Sequence, residues 1–425
     1  HTYWPVAHLM VFIRYLQTRN GKRDYYSVKI TSDKYQSTLV TIFKKLIQRS
    51  GLCFDGKSVG VQWFTRYANV CFILMNLTQA ISLLIPNNEP AKLFECFSIL
   101  SFCVMGFLKY MSLRRYWTLW KFIFSQVTIL EKEQMSYNGD NDVEYETDEE
   151  DNIVQRNFYI QQYTKHFKFV ATVLTRIYYF TLTIFVISPF FEFALAIWRD
   201  NKYGEYPHIL PGWSPLDKIH FSGYLVTIVI EIIAAIHCVS AHVAFDAASV
   251  GIMIFACGQY RSLRYTSQRV AGSGKFYNLS NRRDDRAELR IIRCHRTHIA
   301  LNIVTTKLEK LLTGILGIYF ILATLTLCSV AVRLKSENLG IMELMSLLQY
   351  MAASLTQLFL YCKYGDTVLN ESTINMGEGS FAAAWWCLGT RTRRNLLLLS
   401  IGMSRPHHFS AGFFVLNLPA FVQVS

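Results

Sequence analysis

The sequence predicts an all-α, polytopic membrane protein with seven transmembrane helices, a cytosolic N-terminus, an extended fourth helix and a split seventh helix. Three observations predict it. Apolar residues make up 52% of the 425 residues against 17% charged, and they are gathered into blocks instead of amphipathic stripes. A crossing needs roughly 20 mostly apolar residues, and blocks of that size recur along the whole chain. Lys and Arg gather in alternate connections between blocks, and two blocks, the fourth and the last, have lengths unlike a simple crossing.

Residues 1–61 read as a polar, basic cytosolic segment with helical pieces such as 37–48. Residues 62–260 hold transmembrane helices 1 to 4. The first span is expected over 63–85 and is followed by the turn Pro86-Asn87-Asn88-Glu89-Pro90. The second is expected over 93–113, ending at Arg114-Arg115. Residues 116–166 are expected to form a cytosolic connection, with the acidic run 139–151 as a solvated, mobile loop. The third span is expected over 169–198. Pro207, Pro211, Gly212 and Pro215 then mark a loop by fixed φ and glycine freedom. The fourth block, 221–260, is too long for one crossing and should project past a membrane face.

Residues 261–300 read as a basic cytosolic loop, and 301–425 as helices 5 to 7. The fifth block runs over 301–332, with Lys307, Glu309 and Lys310 expected outside the hydrocarbon. The sixth runs over 341–369. The last is broken: 396–403 is apolar, Ser404-Arg405-Pro406-His407-His408 is not, and 413–424 is apolar again. The expectation is a cytosolic helix, a break, and a final membrane helix starting near Ala411. Too few residues remain there for a full crossing, so the chain is expected to stop inside its last span. Because it begins at His1, its true start is expected to lie upstream.

Orientation follows from charge, since Lys and Arg in short loops favour the cytosolic side. Residues 1–61 and 261–300 hold ten each, whereas 87–92 hold one, 199–218 three and 333–340 two. The basic segments share a side only if the N-terminus is cytosolic, and an odd number of crossings then puts the C-terminus outside. A G-protein-coupled receptor has the opposite orientation. The net charge of +13 lies in these short segments, which excludes a nucleic-acid reading.

Intramembrane ionisable residues are costly and read first as functional. Glu95, Lys109, Arg176, Glu231, His237, His242 and Asp246 are the candidates. Lys109 is expected to snorkel to the cytosolic end; Arg176 either snorkels or pairs inward. His242 and Asp246 share a helix face at i, i+4, which suits a hydrogen-bonded pair, although a solvated helix extension is the expectation. Glu231 either faces a cavity or bonds a neighbouring helix. Cys71, Cys96, Cys103, Cys238, Cys257 and Cys328 lie in apolar blocks and are expected as small buried side chains without disulfides. No protease, hydrolase, P-loop or dinucleotide motif is present, so no enzyme, cofactor or metal is expected. The glycosylation patterns at Asn76, Asn278 and Asn370 fall in a span or on the cytosolic side.

Aromatic and small polar residues recur at helical spacing in the outer halves of several spans. The second has Phe94, Phe97, Ser98 and Ser101; the third has Tyr179, Thr183, Phe185 and Ser188. The fourth has Tyr224 and Ile228, and the sixth has Tyr350, Met351 and Ser354. Such residues suit an apolar cavity with a few hydroxyls. By spacing alone, ordinary helix packing is the better reading.

The stretch Gln357-Leu358-Phe359-Leu360-Tyr361-Cys362-Lys363-Tyr364-Gly365-Asp366, followed by Glu371-Ser372 and Trp385, resembles the sixth-span signature of insect odorant receptors. Phe409-Ser410-Ala411-Gly412-Phe413-Phe414-Val415-Leu416 resembles the lead into their last helix. Asp246, Gly251, Cys257-Gly258-Gln259-Tyr260-Arg261-Ser262-Leu263, His298 and Leu308-Glu309-Lys310-Leu311 fit as well. Lys363 departs from a place often aromatic, and the segment after Met376 carries extra glycines. The short 261–300 segment resembles odorant-tuning subunits, not the obligate co-receptor (Orco).

The resemblance implies a ligand-gated, non-selective cation channel in the plasma membrane of a sensory-neuron dendrite. It implies a heterotetramer with the co-receptor and a central pore lined by the last helix. It also implies a cytosolic anchor made by the ends of spans four to six and the helix before the pore. A small volatile organic ligand would bind in the outer half, among Phe94, Phe97, Ser98, Tyr179, Thr183, Phe185, Ser188, Tyr224, Ile228, Tyr350, Met351 and Ser354. Phe414, Asn417 and Gln423 are the candidates for facing the pore. A gustatory-type channel subunit and a G-protein-coupled receptor are the alternatives.

Overall fold

The computed structural model describes residues 37–51, 59–84, 90–135, 146–200, 206–210, 221–272, 281–336, 341–374, 376–382, 384–412 and 414–424. Ten α-helices carry the described chain. In chain order they are α1 Thr38–Arg49, α2 Val59–Leu84, α3 Pro90–Arg115, α4 Trp117–Met135 and α5 Glu146–Asp200. Then come α6 Phe221–Gln268, α7 Asn281–Ser336, α8 Ile341–Thr373, α9 Thr390–Met403 and α10 Leu418–Val424. Two 3-10 turns, Glu378–Phe381 and Trp385–Cys387, precede α9, and a hairpin of β1 Ser410–Ala411 and β2 Phe414–Val415 precedes α10.

Helix α6 is the axis of the fold. From Ala234 to Tyr260 it is buried on nearly every side, because Ala241, Ala244, Ala247, Ala248, Gly251 and Ala256 let neighbours approach closely. A Cβ on Gly251 would meet the Phe43 and Phe167 rings at 2.5 Å, so these aromatics lie directly against α6 backbone. Its 48 residues extend about 72 Å at 1.5 Å per residue, well beyond a hydrocarbon core of about 30 Å.

Around the far half of α6 lies the main core. It runs from Leu39, Phe43 and Ile47 of α1 through Trp120 and Phe124 of α4 to Leu396, Leu399 and Met403 of α9. Helix α1 joins it by a capped start, where Ser37 Oγ accepts from Val40 N at 3.3 Å, and by an apolar face whose Phe43 packs on Phe124 and Phe167. Glu371 of α8 ties the end of α6 to this core. Its carboxylate takes Arg261 Nη2 and Arg264 Nη2 at 2.6 Å each, while Arg264 Nη1 also donates to Ile374 O. Asp284 of α7 receives Gly389 N at 2.9 Å at the start of α9. A smaller cluster of Phe72, Ile99, Cys103, Ile209, Leu210, Ala234 and Cys238 forms the near half.

Helices α2, α3, α5, α6 and α7 are long and apolar enough to cross a membrane. Trp63, Phe64, Val70, Leu77 and Leu84 of α2 are exposed apolar side chains, the kind of surface that lipid covers. The helices and their surfaces fit a polytopic membrane protein.

Several expectations about connections change. Residues 116–166 contain α4 and the first turns of α5, and Glu146–Asp151 of the acidic run is helical; residues 136–145 lie outside the described residues. Within 261–300, helix α6 continues to Gln268 and α7 begins at Asn281, so most of the expected loop is helix. A polar helix face is enough to hide such extensions from a search for apolar blocks. The last helix begins at Leu418, not near Ala411. In its place the chain turns at Gly412, whose φ of +63° favours glycine and whose position lies 3.4 Å, by an added Cβ, from Gly317 Cα of α7. Nine described cysteines are free thiols, and Cys328, expected buried, is exposed.

Candidate functional site

The near half of the fold holds a cavity of about 60 Å³ that opens to one side. Helix α3 supplies Ile99, Phe102 and Cys103; α5 supplies Tyr178, Thr181, Leu182 and Phe185; α6 supplies Ala235, Cys238 and Val239. Helix α8 supplies Tyr350, Ala353, Ser354 and Gln357, the i, i+3, i+4, i+7 spacing of one helix face. Ile209 and Leu210 complete the lining from the 206–210 segment.

That segment is held by Glu231. His208 Nδ1–H donates to Glu231 Oε1 at 3.0 Å, and Ile209 N and Leu210 N donate to Oε2 at 2.9 and 3.4 Å. Tyr224 OH adds a bond to Pro207 O at 3.0 Å. Glu231 therefore bonds a connecting segment, not a neighbouring helix, and fixes two apolar side chains over the cavity.

One end of the cavity is polar. Asp246, 1% exposed, accepts from Lys109 Nζ at 2.7 Å and Tyr361 OH at 2.6 Å on Oδ1. Its Oδ2 accepts from Tyr178 OH at 2.6 Å and Gln357 Nε2 at 3.0 Å. Lys109, fully buried, also donates to His242 Nδ1 at 3.1 Å and lies 5.4 Å from the Tyr319 ring centre. An ammonium only donates, so His242 Nδ1 must accept, and its Nε2–H then donates to Phe102 O at 3.1 Å. A buried pair of charges holds only when its remaining hydrogen-bonding capacity is met, and here three further donors on Asp246 and the His242 acceptor on Lys109 meet it. Tyr178, Gln357 and Phe102 belong to both the network and the cavity wall.

These placements correct two expectations. Lys109 does not snorkel; it points into the protein. His242 and Asp246 are not a solvated extension and do not bond each other, but meet through Lys109. Arg176 is exposed, while His237 is buried with the rings of Phe72 and Tyr110 at its edges. The Glu95 side chain lies outside the described residues.

Of the residues picked from the sequence, Phe185, Tyr350 and Ser354 line the cavity. The rings of Phe185 and Tyr350 meet edge-on at 6.0 Å, and Tyr350 OH donates to Ser98 O at 3.3 Å. Ser98 itself bonds Ser329 at 2.8 Å, and Phe94 O accepts from Ser98 Oγ; with Phe97 they sit outside the lining. Tyr179 bonds Ser240 at 3.1 Å, one residue around the helix from the lining Tyr178. Thr183 is exposed, Ser188 is buried elsewhere, and Tyr224, Ile228 and Met351 pack behind the wall. Ile99, Phe102 and Tyr178 also line it without a mark in the sequence, as do Cys103, expected only as a small buried side chain, and Gln357, expected only as part of the sixth-span signature. On α8 the missing positions were legible, since Ala353 and Gln357 follow from the period set by Tyr350 and Ser354. Asn417 caps α10, its Oδ1 accepting from Ala420 N at 2.9 Å. The side chains of Phe414 and Gln423 lie outside the described residues. Among the described residues, no group of three or more His, Cys, Asp or Glu side chains is arranged to hold a metal.

A family model described as 7tm Odorant receptor matches residues 89–425. Odorant receptor 82a of Drosophila melanogaster is 22% identical over 241 residues, which is 56% of this chain and 60% of that one. Odorant receptor 22c of the same fly is 25% identical over 170 residues, 39% of this chain and 42% of that one. The aligned stretches thus span about half the length of these relatives. The insect olfactory receptor OR5 from Machilis hrabei superposes with a TM-score of 0.70 at 14% identity, covering 91% of this chain and 96% of that one. The same receptor in complex with eugenol superposes at 0.68.

Proposed function

Because the chain belongs to the 7tm odorant receptor family, we propose that it is the odorant-tuning subunit of a ligand-gated, non-selective cation channel. In this reading it spans the plasma membrane of a sensory-neuron dendrite seven times with its N-terminus in the cytosol. It assembles with the co-receptor as a heterotetramer, and a pore lined by the last helix opens when a small volatile organic ligand occupies the cavity. The single observation that carries the reading is the cavity itself. It is enclosed by four helices and almost wholly apolar, yet its polar end is wired to a buried ion pair. Apolar walls with few polar groups suit a small hydrophobic ligand. A ligand gates only if it binds the open state better, and a wall shared with a two-helix ion pair gives it something to act on.

In this proposal Phe185, Tyr350 and Ser354 contact the ligand, together with Phe102, Tyr178 and Gln357. Phe94, Phe97, Ser98, Tyr179, Thr183, Ser188, Tyr224, Ile228 and Met351 shape the surrounding wall. Phe414, Asn417 and Gln423 face or frame the pore. The end of α6 with α7, α8 and α9 makes the cytosolic anchor.

Whole-cell recording tests it. Volatile ligands should evoke cation currents only when this chain and the co-receptor are expressed together, and G-protein blockade should leave them intact. Currents that vanish with G-protein blockade would sink the proposal in favour of a G-protein-coupled receptor.

A further inference from the structure

Gln357 has an amide whose two ends face different surroundings. The residue is 5% exposed and lines the cavity, and its Nε2 donates to Asp246 Oδ2 at 3.0 Å. The amide is held in this sense, because turning it would set Oε1 against a carboxylate that only accepts. Oε1 is therefore the end left for the cavity, and it has no hydrogen-bond partner among the described residues. Asp246 cannot satisfy it, and the Tyr178 hydrogen is already committed to Asp246. Most of the cavity lining is carbon and sulfur, Phe102, Cys103, Leu182, Val239 and Ala353 among it, and the hydroxyls of Tyr178, Thr181 and Tyr350 are committed to Asp246, Ile177 O and Ser98 O. One turn along the same face of α8 stands the hydroxyl of Ser354, which lies in hydrogen-bonding reach of the Tyr350 hydroxyl and can rotate away from it to donate.

We propose that this end of the cavity selects ligands carrying a hydroxyl on an apolar body, an alcohol or a phenol. The inference rests on reading this cavity as the odorant site. The ligand O–H donates to Gln357 Oε1, and its oxygen accepts from Ser354. Ethers, esters, ketones and hydrocarbons have no hydrogen to offer. Binding one of them strips Oε1 of water and leaves a buried acceptor unpaired, which is costlier than forgoing a bond in water. A site that places a lone acceptor in an apolar wall discriminates against such analogues far more sharply than it discriminates chain length.

The test uses the full chain with its co-receptor and matched triplets of equal heavy-atom count: an alcohol, its methyl-ether isomer and the hydrocarbon. The triplets are built on straight-chain, cyclic-terpenoid and aromatic bodies. Alcohols should be the best agonists, with ether half-maximal concentrations higher by about tenfold or more. Gln357→Met should shrink that ratio toward one by weakening the alcohol response while sparing the ether; the ligand comparison on the unaltered chain stands even where this variant folds poorly. Ethers or hydrocarbons that match the alcohols, silence from every hydroxylated member, or a ratio untouched in surface-expressed Gln357→Met would each overturn the inference. Phe185→Ala separates the two levels. Shifted curves for all ligands without an alcohol preference would leave the cavity reading standing and remove the hydroxyl; unmoved curves for every ligand would remove the cavity.

Discussion

Lys109 and Asp246 face each other where neither reaches solvent, and each holds other groups in place. Lys109 comes from α3, Asp246 from α6, Tyr178 from α5, and Gln357 and Tyr361 from α8. Four helices thus converge on one carboxylate. Removing one partner of a buried pair leaves the other charge uncompensated and costs about 3–5 kcal/mol. Lys109→Met should therefore lower the melting temperature of the detergent-solubilised protein sharply, and adding Asp246→Asn should restore part of the loss, since Asn removes the unpaired charge and still accepts from one of the two tyrosines. A single variant that melts like the parent would mean that the pair carries little of the fold.

At the scale of elements, α8 is the member that touches everything in turn. Its Tyr350, Ser354 and Gln357 line the cavity, and Tyr361 reaches the ion pair. Further along, Phe359 packs on Phe421 of α10 at 5.5 Å, and Gly365 lies against the segment before α10. A Cβ at Gly365 would fall 2.6 Å from the Leu416 carbonyl oxygen. That contact is with backbone, which gives way less readily than a side-chain tip. Gly365→Ala is expected to cost about 1–3 kcal/mol at this junction. It should reduce the maximal ligand-evoked current at unchanged surface expression, with ligand sensitivity altered less than the maximum. Surface biotinylation beside recording checks it, and a full-sized current would show that this junction does not govern opening. Helix α5 contains Pro189, which removes one rung of its hydrogen bonding.

At the scale of the molecule, the fold is unequal along α6. The near half surrounds a cavity and the far half is a solid aromatic and aliphatic core joined by Glu371, Arg261 and Arg264. Among the described basic residues that set the expected orientation, Arg261 and Arg264 sit on Glu371 at the solid end, and Arg114 and Arg115 directly follow Leu113 of its core. The proposed topology puts that end in the cytosol. An epitope placed ahead of residue 37 should therefore be labelled only after the cell is permeabilised. Labelling of intact cells would reverse the orientation and, with it, the assignment of the cavity to the outer side.

Block length and charge placement were enough to read from the sequence that the chain is helical and polytopic, because crossing hydrocarbon imposes length and composition on each segment separately. The over-long helix α6 was legible for the same reason. So was half of the α8 face, through the spacing of Tyr350 and Ser354. What the sequence left open depends on partners far away in the chain. Nothing local distinguishes Tyr178 from Tyr179, although one reaches Asp246 and the other Ser240. Nothing near Lys109 announces that Asp246, 137 positions later by subtraction of the two residue numbers, cancels the cost of burying it. Rotation of a helix about its axis and the meeting of opposite charges are properties of packing between elements. Only the tertiary structure decided them, and they turn separate apolar helices into a cavity with one polar end.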